Sequence, residues 1–134
     1  MSNATTAWRW LTAAVLFHFV ISLVHGLAHT RANVPLSRAG TLFVVSVILA
    51  GPLIGLAVTR LAQPIGVALV AITMAASLVF GVVNHFVLSS PDHISHVEAS
   101  WRTLFASTAA LLAVTETLGT GLAVRLARER KRTS

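Results

Sequence analysis

Four long apolar stretches, at about 10–28, 41–59, 65–88 and 103–124, constrain the fold of this chain more than any other feature. Each is close to or above the roughly 20 residues that a helix needs to cross the apolar core of a bilayer. Hydrophobic residues make up 55% of the 134 residues and charged residues 10%, which is more apolar surface than a soluble core of this size could bury. We therefore predict an all-α integral membrane protein, a four-helix transmembrane bundle that runs up-down-up-down as a single domain over residues 1–134.

The first apolar stretch also has features of a secretory signal peptide. Arg9 precedes it, and the small residues Gly26 and Ala28 lie at its end. His18, however, lies near the middle of the stretch, where a signal peptide is purely apolar. We expect a helix that is retained in the protein.

The distribution of basic residues predicts the orientation of the bundle. The two termini and the turn between the second and third stretches carry seven basic residues: Arg9, Arg60, Arg125, Arg128, Arg130, Lys131 and Arg132. The other two loops carry three: Arg31, Arg38 and Arg102. Because basic residues accumulate on the cytoplasmic side, we expect both termini in the cytoplasm of a cell (inner or plasma) membrane and the loops at 29–40 and 89–102 outside.

The net charge of +6 does not indicate nucleic-acid binding. Five of the ten basic residues lie in the terminal segment 125–134, which we predict to be a basic cytoplasmic tail. Such a tail is typical of a topology signal beside anionic headgroups of the bilayer.

Local patterns predict where helices begin and where they touch. Ser95-x-x-Glu98 has the spacing of a capping box, so we expect the fourth helix to begin there, outside the bilayer. The segment Gly51–Gly55 has the small-xxx-small pattern of closely packed transmembrane helices. Polar or small residues recur at helical spacing in the third stretch, which predicts a second contact face: Thr73, Ser77, Gly81 and Asn84.

Three histidines of the first helix share one face. At about 100° per residue, His18, His25 and His29 fall within about 40° of one another, and a polar stripe must face the bundle interior or a hydrated cavity. The rise of about 1.5 Å per residue places His18 about 15 Å from the inner boundary and both His25 and His29 near the outer surface. His85 reaches that same outer level on the third helix. His25 and His85 would therefore meet if the first and third helices come together.

The outer histidines predict a metal or haem site. His25 and His29 have the i, i+4 spacing that lets two imidazoles bind one ion, and the full predicted ligand set is His25, His29, His85, His93 and His96. Asp92 and Glu98 would lie behind them or add ligands, and Asn84 would supply a further hydrogen bond between helices. Because the chain has no cysteine, zinc, copper or iron would be held by imidazole and carboxylate. The alternative cofactors are a haem between two histidines of different helices, such as His25 or His29 with His85, and a chlorophyll-type pigment on one of them. Without a cofactor, these histidines would reach the headgroups and the two carboxylates would cap the fourth helix.

Glu116 is the one charged residue within an apolar stretch, and its depth of about 14 Å from the inner boundary matches that of His18. We expect the two to pair, because pairing offsets part of the cost of burying each. The pair could relay protons or contact a quinol headgroup, or it could be a structural pair that fixes the register of two helices.

These features predict redox or metal-dependent chemistry at an outward-facing site, with a lipid-soluble substrate as one option. Two other classes stay open: a non-catalytic accessory or assembly subunit of a larger membrane complex, and a small transporter that uses His18 and Glu116 and works as a homo-oligomer. The sequence contains no nucleophile triad, phosphate loop or nucleotide fingerprint, so it leaves open whether the protein is an enzyme.

Overall fold

A computed structural model describes residues 3–132. Within those residues the chain forms four long helices and no strand: α1 (Asn3–Arg31), α2 (Arg38–Val58), α3 (Gln63–Val87) and α4 (Ala99–Lys131). All four are long and apolar enough to cross a membrane, which confirms the predicted helical class and the number of spans.

The helices extend beyond the apolar stretches that predicted them. Hydropathy marks only the apolar part of a helix, whereas the hydrogen-bonded backbone continues into polar residues. The predicted basic tail is one example, because α4 continues through it to Lys131. An ion pair one helical turn apart supports this extension, since Arg125 Nε donates to Glu129 Oε1 at 2.7 Å.

The order of the helices around the bundle determines which faces meet. α4 packs along both α1 and α3, α3 packs along α2, and α1 touches α2 only slightly. α1 and α3 therefore lie across a diagonal, and side chains from both can meet in the interior. Two apolar clusters fill the two ends. The terminal end contains Ala7, Leu11, Val15, Val67, Val70, Met74, Ala123 and Leu126, and the loop end contains Ala28, Ala32, Val34, Val97 and Phe105.

α2 and α3 pack closely at glycines, as the small-xxx-small pattern predicts. A Cβ added to Gly55 would lie 2.6 Å from Cγ2 of Val70, and one added to Gly66 would lie 2.6 Å from the carbonyl oxygen of Gly55. The backbones of the two helices can approach this closely only because neither position carries a side chain. The predicted contact face of α3 does not extend to Gly81, where an added Cβ would meet nothing within 4 Å. Asn84 also makes no contact of the predicted kind, since its Nδ2 donates to the carbonyl of Phe80 in its own helix at 2.8 Å.

Two helices contain π-helical segments, one at Val44–Ala50 in α2 and one at Val83–Val87 in α3. The first directly precedes Gly51 and Pro52. Proline has no N–H to give to the helix and its ring crowds the preceding turn, so a wider turn at this point relieves both problems. Helical periodicity in a sequence assumes 3.6 residues per turn, so it does not predict either segment.

The predicted capping box does not form. α4 begins at Ala99, and its N-cap residue is Glu98 with an extended backbone and no capping hydrogen bond from its side chain. The Glu98 carboxylate instead accepts a hydrogen bond from Ser100 Oγ at 2.7 Å, and Ser95 Oγ pairs with Nδ1 of His93 at 2.7 Å. Ser95 lies in the loop between α3 and α4 because that loop folds back over the end of α3, with the Ile94 N–H donating to the His85 carbonyl at 3.1 Å.

Gly66→Ala tests the close packing of α2 against α3. The new methyl would overlap the Gly55 carbonyl, so we expect a loss of about 1–3 kcal/mol in the free energy of unfolding in detergent. Gly121→Ala is the matched control, because a Cβ there meets nothing within 4 Å. Equal thermal stability of the two variants would contradict the close packing.

Candidate metal centre

Three histidines meet inside the bundle near its loop end. His25 and His29 of α1 and His85 of α3 are buried, and one ring nitrogen from each lies within 4.8 Å of the other two. The closest approach is between Nε2 of His25 and Nε2 of His85, at 3.1 Å. We call these three residues the histidine triad. They could hold a metal ion, and the histidine stripe of the first helix does meet His85.

The triad depends on two local features of the helices. His25 and His29 are one turn apart on α1, and their ring centroids are 4.8 Å apart in an edge-to-face arrangement. His85 lies in the π-helical segment of α3, across the diagonal from α1. A π-turn changes the direction in which its side chains point, and such turns are frequent at functional sites.

The outward nitrogen of His85 is fixed by the backbone. Its Nδ1 lies 3.0 Å from the carbonyl oxygen of Asp92. A carbonyl can only accept, so the hydrogen of a neutral His85 ring is on Nδ1 and the lone pair is on Nε2. The nitrogen that approaches His25 is thus the one that can bind a cation.

His29 also directs its Nδ1 toward a backbone carbonyl, here in the turn that follows α1. Its Nδ1 lies 3.5 Å from the Val34 carbonyl and 3.5 Å from Oδ1 of Asp92. The Val34 carbonyl is near because Asn33 adopts a left-handed backbone, with φ of 52°, and the Val34 N–H donates back to the His29 carbonyl at 3.0 Å. Both oxygens can only accept a hydrogen bond, so the hydrogen of a neutral His29 ring is on Nδ1. Nε2 is then the nitrogen of His29 that can bind a metal.

The third histidine is oriented by α4. Nδ1 of His25 lies 2.8 Å from Oγ1 of Thr108. When that hydroxyl donates its hydrogen to the Leu104 carbonyl at 2.7 Å, its oxygen accepts from His25. All three rings then carry hydrogen on Nδ1 and a lone pair on Nε2, which is the arrangement that oxygen acceptors behind metal-bound imidazoles usually impose. When the hydroxyl donates to Nδ1 of His25 instead, the Nε2–H of His25 donates to Nε2 of His85.

The distance between His25 and His85 has a chemical consequence. At 3.1 Å, either one of the two Nε2 atoms carries a hydrogen that it donates to the other, or a cation lies between two lone pairs. Two imidazoles bound to one tetrahedral metal ion at about 2.05 Å have nitrogens about 3.3 Å apart. The observed distance is close to the one that a shared ion requires.

Asp92 is the carboxylate of the site. Its side chain is 10% exposed, and Oδ1 lies 3.5 Å from His29 Nδ1. Oδ1 of Asp92 accepts no hydrogen bond from residues 3–132. A buried carboxylate oxygen of this kind can stabilise a nearby positive charge. The predicted position of Asp92 beside the histidines thus agrees with the geometry.

The other residues predicted for this site lie apart from the triad. His93 and His96 lie in the loop before α4, with ring centroids 5.7 Å apart, and their Nδ1 atoms contact Ser95 Oγ and the Ser90 carbonyl. His93 is half-buried and His96 is exposed, and both lie in the loop between α3 and α4. Glu98 is exposed at the start of α4, and Asn84 bonds within its own helix.

The second predicted pair, His18 and Glu116, is present in the interior. Nδ1 of His18 lies 3.8 Å from Oε1 of Glu116, and both side chains are almost fully buried. The stronger contact of His18 is with α2, because its Nε2 donates to the Ile48 carbonyl at 3.1 Å. That carbonyl lies in the π-helical segment, four residues before Pro52, which has no N–H to donate. His18 therefore supplies this part of α2 with a donor from another helix.

A cavity of about 260 Å³ joins the two groups of polar residues. The triad and Asp92 line one end, and Ser22, Ser77 and Glu116 line the part nearer the middle of the bundle. Aliphatic side chains form much of the remaining wall, including Val44, Ile48 and Leu112. The triad thus lies at one end of a cavity whose walls are largely apolar.

No protein-family model, curated protein or solved structure matches this chain.

Sequence reasoning missed several contributors to the site. Phe105 packs against all three imidazoles, with ring centroids 4.7–5.1 Å from theirs, and Thr108 orients His25 from the next turn of α4. A phenylalanine and a threonine in an apolar helix give no signal of their own. Pro52 did give one, since a proline inside a helix always leaves the carbonyl four residues earlier without its usual donor.

His18→Leu tests whether His18 replaces the donor that Pro52 lacks. We expect a loss of about 1–3 kcal/mol in the free energy of unfolding, because the Ile48 carbonyl loses the hydrogen bond from His18. Adding Pro52→Ala should restore part of that loss, since an alanine at this position has an N–H to donate to the same carbonyl. A double-mutant cycle in detergent measures the coupling, and additive effects would contradict this role. Glu116→Gln shows separately how much of the loss comes from the carboxyl partner.

Proposed function

We propose that the histidine triad binds one transition-metal ion through Nε2 of His25, His29 and His85, with the Asp92 carboxylate beside it. The observation that carries this proposal is the buried group of three imidazoles, in which Nε2 of His25 approaches Nε2 of His85 to 3.1 Å. Three neutral imidazoles with a carboxylate suit zinc, copper or iron. Such an ion would supply redox or Lewis-acid chemistry, and a three-histidine set leaves a coordination position for a substrate.

The geometry favours a single ion over a haem. Axial ligands of a haem lie on opposite faces of the macrocycle, with the ring system between their nitrogens. His25 and His85 are too close for that, since their ring centroids are 4.9 Å apart and Phe105 packs against both. A chlorophyll-type pigment on one of these histidines would meet the same obstacle.

We further propose that the chain is a multi-pass protein of the cell (inner or plasma) membrane with both termini in the cytoplasm. The four apolar helices and the excess of basic residues near the termini support this orientation. The triad would then lie in the outer half of the bilayer. Its chemistry would be available to molecules dissolved in that leaflet or arriving from outside.

Two other functions share this architecture. A small transporter is supported by the cavity, because it extends from the triad to Glu116 and so connects two groups that can bind cations. A homo-oligomer would then complete the pathway. As an accessory or assembly subunit of a larger membrane complex, the protein would use the same metal ion for structure, and its exposed apolar side chains would contact partners.

Metal analysis of protein purified in detergent tests the proposed site. After chelation and reloading with zinc, copper or iron, we expect about one tightly bound ion per chain. His25→Ala combined with His29→Ala should lower occupancy to about a tenth or less, because two of three ligands are lost. X-ray absorption of the loaded protein should show nitrogen ligands at about 2.0–2.1 Å.

The matched control for this experiment is His93→Ala combined with His96→Ala, which removes two loop histidines outside the triad. We expect it to bind metal as the wild type does. Absence of both metal and a visible chromophore from wild-type protein would contradict the proposed function. Loss of metal in the control variant would show that the loop histidines are ligands.

Cysteine labelling tests the proposed orientation, because the chain has no cysteine of its own. Asn33→Cys lies in the exposed loop after α1 and should react with an impermeant maleimide added outside intact cells. Leu61→Cys, in the exposed turn between α2 and α3, is the control and should react only after the cells are opened. The reverse pattern would invert the topology.

A further inference from the structure

The cavity beside the triad has a mouth between α1 and α2. Three residues that line the cavity are exposed, and all belong to these two helices near the loop end: Gly26, Thr30 and Thr41. α1 touches α2 mainly beyond this region, at Val44–Val58, and has little contact with the segment Arg38–Phe43. The two helices therefore leave a gap at the level of the triad.

The exposed surface of α1 and α2 beside these three residues is largely apolar. The side chains of Leu27, Leu42 and Val45 are 52%, 71% and 54% exposed. At Gly26 itself an added Cβ would meet nothing within 4 Å. In the proposed orientation these residues face lipid tails, so a molecule entering through the gap would come from the bilayer.

The interior suits the end of an alkyl chain with one polar group. The cavity of about 260 Å³ has room for several methylene groups, and its aliphatic walls favour them over water. The polar group would lie at the triad. An ion held by three neutral imidazoles keeps its full double charge, and Asp92 offsets one unit of it. An anionic oxygen headgroup would offset the other unit.

We propose that the cavity admits a single-chain amphiphile from the bilayer through the gap at Gly26, with its carboxylate bound at the histidine triad. This inference rests on the proposed metal site and adds the class of ligand and its route. The headgroup would lie at the end of the cavity where the triad would hold the cation, and the chain would extend toward the end where Glu116 lies.

Photolabelling in vesicles tests this inference. Zinc-loaded protein in phosphatidylcholine vesicles is irradiated with decanoic acid that carries a terminal diazirine, and labelled residues are identified by mass spectrometry. We expect saturable labelling of the lining residues on α1, α2 or α4. Unlabelled decanoic acid should compete at least about tenfold better than decanol, because a charged ligand binds the cation more strongly.

Gly26→Leu should lower saturable labelling to about a tenth, since the larger side chain would project into the gap. The matched control is Gly121→Leu, another exposed glycine whose Cβ would meet nothing within 4 Å, and it should label as the wild type does. Equal labelling of the two variants would overturn the route. Equal competition by decanol would overturn the carboxylate headgroup.

The zinc content of the same samples separates this inference from the proposed function. Zinc at one per chain without saturable labelling would overturn the amphiphile site and leave the metal site standing. Protein that binds no zinc after reloading would overturn the metal site, and the carboxylate assignment with it.

Discussion

Polar atoms in the interior of this bundle have to find partners within the protein, because apolar walls offer none. His18 donates to the Ile48 carbonyl that Pro52 leaves free, and His85 donates to the Asp92 carbonyl. Hydroxyl groups follow the same rule, since Ser77 Oγ donates to the Thr73 carbonyl of its own helix at 2.7 Å. Within residues 3–132, the buried side-chain atoms that depart from this rule are Nδ1 of His18, Oδ1 of Asp92 and Oγ1 of Thr120. In the triad, the outward nitrogen of each ring faces an oxygen.

This uniform direction gives the site its specificity. A ring whose outward nitrogen donates to a fixed oxygen cannot turn its hydrogen inward without breaking that bond. Each of the three outward partners comes from a different element: Thr108 from α4, Val34 from the turn after α1, and Asp92 from the loop after α3. The triad thus depends on the loop end of the bundle as a whole. Local movement of the loop around Asp92 would affect two histidines at once.

Periodicity and depth predicted much of this arrangement. The spacing of His18, His25 and His29 predicted an inward stripe, and counting residues along each helix predicted that Glu116 would be level with His18 and His85 level with the outer pair. These inferences need only a regular helix. The sequence did not indicate that α1 and α3 lie across a diagonal, because helix order depends on the fit of many side chains. It also could not exclude His93 and His96, since the fold of the loop around them depends on backbone hydrogen bonds that carry no sequence signal.

The π-helical segment at Val83–Val87 gives the site an unusual sensitivity to chain length. Each residue in a wide turn advances through a smaller angle than the about 100° of an α-helix, so His85 has a different rotational phase from the face that packs on α2. Deleting one residue there would let α3 run as a uniform helix and would turn His85 away from α1. Composition and hydropathy would hardly change. Two homologues that differ by this single residue could share the same bundle while only one of them retains the triad.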